Sequence, residues 1–194
     1  MFKKKLLTVI GIAAFFLSGS FSPVIAFDSS EVRITTLEIK SEKGIISAQA
    51  GLQINLDQIK EYLMSGTETK ISYYFELFRE RSYWLDSEEA SAQLDYTVKY
   101  DNIKKQFGLL MVTGKTQTTV HPKDFDRLKE LLTTVKDCFL ASVLPPGKYY
   151  LQAKARMSSL GDPSMFDYLL NFFYSFDEFD TSWATSLPQI IPAR

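Results

Sequence analysis

From Ile46 to Ile54 the chain alternates: Ile46, Ala48, Ala50, Leu52 and Ile54 occupy one parity, and Ser47, Gln49, Gly51 and Gln53 the other. Successive strand side chains point to opposite faces, so this pattern buries one face only if the segment is extended. Lys43-Gly44 supplies a turn before it, and residues 34–40 read as the antiparallel partner of a hairpin. The same period recurs at Ile71, Tyr73, Phe75 and Leu77, at Leu94, Tyr96, Val98 and Tyr100, at Phe107, Leu109 and Met111, and at Tyr149, Leu151, Ala153, Ala155 and Met157. Fifteen phenylalanines, ten tyrosines and two tryptophans fit such pleated, half-buried surfaces. Five or six antiparallel strands follow.

Two segments depart from the strand period. Asn55 or Asp57 is placed to cap a short helix with Leu56, Ile59, Tyr62 and Leu63 on one side, ended by Ser65-Gly66. Pro122, with Asp124 in the first turn, opens a second helix running through Phe125, Leu128, Leu131, Leu132 and Val135. Each has a single apolar stripe, which suits packing on a sheet face or plugging one end of a sandwich. The expected fold is mainly β: an antiparallel β-sandwich-like (immunoglobulin-like) domain with two short packed helices. Leu144-Pro145-Pro146-Gly147 is a loop before the Tyr149 strand.

The first 26 residues read as a cleaved secretory signal peptide: Lys3, Lys4 and Lys5, an apolar run from Leu6 to Leu17, then Val24 and Ala26 as small residues before the cut. That run falls below the ~20 residues needed to span hydrocarbon, and no cysteine near the cut offers a thiol for lipidation. The expected product is 27–194, a single β-rich domain in the periplasm or outside the cell, with no transmembrane helix. Without the three lysines, 19 basic residues face 23 acidic ones. A net acidic chain with no basic block is a poor partner for nucleic acid or anionic lipid. Cys138 is the only cysteine and has no partner within the chain, so it is expected to act as a small buried apolar residue.

Reactive groups are scarce. His121 is the only histidine and, before Pro122, reads as a cap or surface residue. No G-x-S-x-G elbow occurs, and one histidine and one cysteine do not make a zinc site. Gly114-Lys115-Thr116 resembles the end of a phosphate loop, but the upstream glycine position holds Leu109. Asp177, Glu178 and Asp180 lack the spacing and glycine of a calcium loop, and Asp86, Glu88 and Glu89 form no diagnostic carboxylate pair. No cofactor or metal is implied, and the chain is expected not to be an enzyme. Its rival from that class is a hydrolase using two of Asp86, Glu88, Asp177 and Asp180.

The most distinctive stretch runs from Tyr73 to Asp86. With Tyr73, Phe75 and Leu77 inward, Tyr74, Glu76 and Phe78 face outward, followed by Arg79, Arg81, Tyr83 and Trp84. Aromatics mixed with arginine are the composition enriched at binding hot spots, so Tyr74, Phe78, Arg79, Arg81, Tyr83 and Trp84 are the candidate partner-binding residues. The competing arrangement is a helix laid over that face, burying Tyr74 and Phe78. A second apolar stretch, 165–176, reads either as a core element or as an exposed docking surface.

Several of these segments together resemble a bacterial exported family known as domain of unknown function 4390. They are Arg79-x-Arg81-x-Tyr83-Trp84-x-Asp86, the pair Leu94-x-Tyr96-x-Val98-x-Tyr100 and Lys105-Gln106-Phe107, the helix over 125–132, Leu144-Pro145-Pro146-Gly147-x-Tyr149, and a tail with Trp183 and Leu187-Pro188. The resemblance implies export, one domain, no established activity and, in some bacteria, genetic association with two-component sensor kinases. It supplies no catalytic residues. The functional expectation is a non-catalytic binding or accessory module for another envelope protein, with a membrane sensor kinase as the candidate partner. The alternatives are a carrier of an apolar ligand inside the sandwich and the hydrolase named above.

Overall fold

The computed structural model describes residues 32–160 and 179–192, apart from the side chain of Gln58. The expected signal peptide and the 165–176 stretch lie outside the described residues, as do Asp177 and Glu178. The elements in chain order are β1 (Arg33–Glu42), β2 (Ile45–Gln53), a 3-10 turn (Leu56–Ile59), α1 (Lys60–Met64), β3 (Glu68–Arg79), β4 (Ser87–Asp101), β5 (Gln106–Thr113) and β6 (Thr116–Val120). α2 (Phe125–Thr133), β7 (Thr134–Ala141), β8 (Gly147–Leu160), β9 (Ala184–Thr185) and β10 (Gln189–Ile191) complete them.

All pairings are antiparallel and form two sheets. β1, β2 and β7 make the smaller, in that order; β10, β8, β3, β4, β5 and β6 make the larger, curled one, with β9 also on the edge of β8. The fold is therefore mainly β and sandwich-like, with two helices. Each of the five alternating segments, and the hairpin partner at 34–40, is a strand, and the expected parity holds: Tyr73, Phe75 and Leu77 are buried with Tyr96, Leu109 and Leu151, and they meet Ile46, Ala48, Leu52 and Val135 in one core. The β1–β2 hairpin turns on Lys43 (φ 49°) and Gly44 (φ 82°). Two consecutive residues with positive φ match the twist of the flanking strands, and glycine takes the second without a Cβ penalty.

The helices fill one end. Leu56, Ile59 and Leu63 from the first, and Leu128 and Leu132 from the second, are buried. Lys129 joins the two segments through an ion pair to Asp57 at 3.2 Å. Deep in the core, the Tyr73 hydroxyl donates to the Leu132 carbonyl at 2.6 Å, satisfying an acceptor at the end of α2. Burial pushes the Tyr73 phenol well above its ordinary range.

Four expectations need correction. Neither Asn55 nor Asp57 caps the first helix with its side chain, which enters through the 3-10 turn instead. Asp124 lies before α2 rather than within its first turn; its carboxylate accepts from the Arg127 N–H at 2.8 Å as the N-cap. Val135 is not helical: α2 stops at Thr133 and the chain continues directly into β7. The strand count also exceeds six, because β6 and β7 lack a clean alternation. β6 is Thr-Gln-Thr-Thr-Val, and β7 carries a bulge at Lys136 and Asp137, where the register jumps from Ala48–Cys138 to Ala50–Val135 and Asp137 takes φ 55°.

The edge of β8 is covered by the C-terminal segment from Phe179 onward. Met157 N–H donates to Phe179 O (2.8 Å), Thr181 N–H to Ala155 O (2.9 Å) and Ser186 N–H to Leu151 O (2.8 Å). In return, Ala155 N–H donates to Thr181 Oγ1 (3.0 Å) and Leu151 N–H to Ser186 Oγ (2.9 Å). Two buried hydroxyls thus take the place of strand carbonyls where the segment is too irregular to pair.

Candidate functional site

The register of β3 with its neighbours builds the outward aromatic face. Tyr74 lies opposite Lys154 of β8 and Phe78 opposite Tyr150. Phe78 and Tyr150 stack, with centroids 5.4 Å apart and planes 14° from parallel. Lys154 Nζ sits 5.5 Å from the Tyr74 ring and 5.3 Å from that of Trp183, bridging the two, and 3.7 Å from Asp180. Such cation–π contacts contribute about 0.5–1 kcal/mol each at exposed positions. Among the described residues no helix covers this face; Tyr74 and Phe78 are half-buried by their strand neighbours instead.

Beyond Phe78 the chain leaves the sheet in the loop 80–86, whose base is pinned. Glu80 N–H donates to Lys148 O at 2.8 Å, and their side chains form an ion pair at 2.7 Å. Asp86 closes the loop, one oxygen accepting from Arg81 N–H at 3.0 Å and the other from the Tyr150 hydroxyl at 2.9 Å. Desolvation, and then the hydrogen bond to Asp86, raise the Tyr150 phenol above its ordinary pKa. Arg79 Nε lies 3.0 Å from Glu89 Oε1 as an ion pair, without hydrogen-bond alignment, and Arg81 reaches the same oxygen at 4.0 Å.

With its base held, the loop presents Tyr83, Trp84 and Leu85 at 93%, 82% and 92% exposure. Arg81 is exposed beside them, and Arg79 is half-buried. The structure therefore brings five of the six sequence-identified residues onto one face and its adjoining loop; Arg79, with the inward parity of Phe75 and Leu77, lies opposite the buried Tyr149 on the other face of the sheet. Sequence reasoning missed Leu85, Tyr150, Lys154 and Trp183. The opposite parity of β8 marks Tyr150 and Lys154 as outward, but only the β3–β8 register puts them beside Phe78 and Tyr74.

The remaining candidates are scattered. Asp86 and Glu89 are engaged as above, Glu88 pairs across from Phe78 on β4, and Asp180 lies near Lys154. His121 is exposed, its Nδ1 3.4 Å from Phe107 O. Among the described residues, no three His, Cys, Asp or Glu side chains gather as a metal site, and no helix is long and apolar enough to cross a membrane. Cys138 is buried, and desolvation raises its thiol to about 11. Gly114 and Lys115 form the β5–β6 turn.

Fold and geometry define the class: a mainly antiparallel, sandwich-like β protein with an aromatic outer face and a pinned aromatic loop. The chain belongs to the family described as Domain of unknown function (DUF4390), whose model matches residues 29–186. No curated protein and no solved structure matches it.

Proposed function

We propose that the chain is exported to the periplasm, loses residues 1–26, and works as a non-catalytic binding module for another envelope protein, with a membrane sensor kinase as the candidate. The observation that carries this is the exposure of three successive large apolar residues, Tyr83, Trp84 and Leu85, on a loop fixed at its base by Asp86. Exposed apolar clusters rimmed by polar residues mark interaction sites, and tryptophan, tyrosine and arginine dominate their energetics. A pinned loop also loses little conformational freedom on binding, which favours affinity. The Phe78–Tyr150 stack and the Trp183–Lys154–Tyr74 bridge continue the same surface along the sheet.

Alanine at Trp84 and at Phe78 tests the reading. The Trp84→Ala protein folds normally and loses partner capture in intact cells. Phe78→Ala weakens capture and costs about 0.5–1.5 kcal/mol through the lost stack. If both variants capture as wild type does, or if Trp84→Ala fails only because it unfolds, the loop is not the contact.

A further inference from the structure

On the flank away from β8 the two sheets part. A cleft of about 760 Å³ opens there between the inner side of β4–β6 and β7. Its floor is apolar, made by Leu94, Tyr96 and Met111, while Thr116 and Thr118 line one wall and Cys138 the other. Two strand edges border it. β7 pairs with β2 on one side and β6 with β5, and among the described residues no strand pairs the other side of either. Beyond the bulge at Lys136 and Asp137 the β7 edge runs over 138–141, with a second register shift between Phe139 and Ala141.

An edge of unpaired N–H and C=O groups beside an apolar floor is a template for an added strand. A hydrocarbon chain would satisfy the floor but desolvate the edge and the threonine wall without partners, at about 1–3 kcal/mol for each group left unpaired. The charge at the mouth narrows the occupant further. Asp137 is already held by Lys40 at 3.0 Å and by Gln49 at 3.3 Å, which keeps its carboxyl below the usual range. Lys136 is exposed and 3.8 Å from Glu130, which Arg127 also binds; Lys115 at the β5–β6 turn has no ion-pair partner among the described residues. The surplus is positive.

We propose that this cleft takes an extended segment of another polypeptide, added as a strand along 138–141, with apolar side chains two residues apart on the Leu94, Tyr96 and Met111 floor and a carboxylate at Lys136 and Lys115. It extends the binding reading to a second surface that shares no residue with the 80–86 loop.

The test is selection of a random decapeptide display library on the purified protein, with Thr118→Trp as the blocked cleft and Trp84→Ala as the loop control. Thr118 is exposed, so its replacement fills the cleft without touching the core. Enriched peptides are expected to alternate apolar residues and carry Asp, Glu or a free C-terminal carboxylate. A synthetic copy should bind Thr118→Trp at least about tenfold more weakly than wild type, bind Trp84→Ala unchanged, and slow amide exchange at 138–141. Methylating alternate backbone nitrogens of the peptide should abolish binding. Failure to enrich any peptide, equal binding to wild type and Thr118→Trp, or protection of 80–86 in place of 138–141 would overturn the proposal. So would palmitate slowing exchange at the cleft where no peptide does, which would make it an acyl-chain site. Loss of partner capture in Trp84→Ala with peptide binding intact separates this site from the loop.

Discussion

The sandwich ends its sheets differently on its two flanks. Along β8, the segment from Phe179 to Ile191 lays down a broken edge strand, and Thr181 and Ser186 contribute buried hydroxyls wherever a carbonyl is missing. β1 packs beside β8 and β9, so this flank is sealed. On the other flank β6 and β7 stop without partners among the described residues and leave the cleft between them. Unpaired edges invite other chains, and this protein invests a whole C-terminal segment in closing one of them. The open edge is restricted by Lys136 and by two register shifts, one at Lys136 and Asp137 and one between Phe139 and Ala141, which confine the available ladder to 138–141 without removing it.

The two flanks should answer differently to substitutions of graded size. The largest effect belongs to the interior shared by both flanks, where Phe75→Ala should cost about 3–5 kcal/mol in a denaturant melt. Next come the hydroxyls of the sealed edge. Ser186→Ala and Thr181→Val each strand a buried N–H, of Leu151 and Ala155, at about 1–3 kcal/mol. On the open flank, Thr116→Ala and Thr118→Ala should change stability by no more than about 0.5 kcal/mol. Equal costs on the two flanks would refute the distinction.

Cys138, which lines the cleft, gives the open flank a pH dependence of its own. Its folded-state thiol is raised to about 11 from an ordinary 9, so the native protein keeps a proton that the unfolded chain gives up. This contribution is complete below the unfolded value and is lost as pH rises through the folded one. Stability measured across that window should fall, and Cys138→Ala should flatten the fall in part, leaving the share due to the tyrosines that burial raises, Tyr73 and Tyr96 foremost, the latter pushed up to about 12. Asp137 runs the opposite way: its depressed carboxyl supports the fold above the ordinary carboxylate range and ceases to do so on acidification, a small effect at an exposed site. Smallest of all is the stability change in Trp84→Ala, within about 0.5 kcal/mol.

The strands that position the aromatic face were legible because alternation is a local signal. Tyr73, Phe75 and Leu77 announce their parity, and Tyr74 and Phe78 follow from it. β7 was not legible: Leu131, Leu132 and Val135 continue the helical spacing of α2, and the bulge at Lys136 and Asp137 interrupts the alternation that Cys138 and Leu140 would otherwise show. β6 was hidden because Val120 is its only apolar residue. Half of the candidate site was hidden for a different reason. Tyr150 and Lys154 meet Phe78 and Tyr74 only through a pairing between segments some seventy or more residues apart, and Trp183 joins them through the C-terminal segment on the far edge of β8, which no local pattern encodes. Loop 80–86 shows the same limit, since Asp86 reads as one of several acids and becomes the pin only when Tyr150 and Arg81 reach it.

Site-specific photo-crosslinking in intact cells reads the loop's contact itself, with a benzophenone amino acid placed at Tyr83 or at Ile103, a comparably exposed residue in the β4–β5 turn, 94% accessible. A discrete adduct with one envelope protein is expected from position 83, none from position 103, and loss of the adduct when Trp84→Ala is combined with the probe. Adducts of equal yield from both positions, or labelling at position 83 that goes only to lipid, would contradict it.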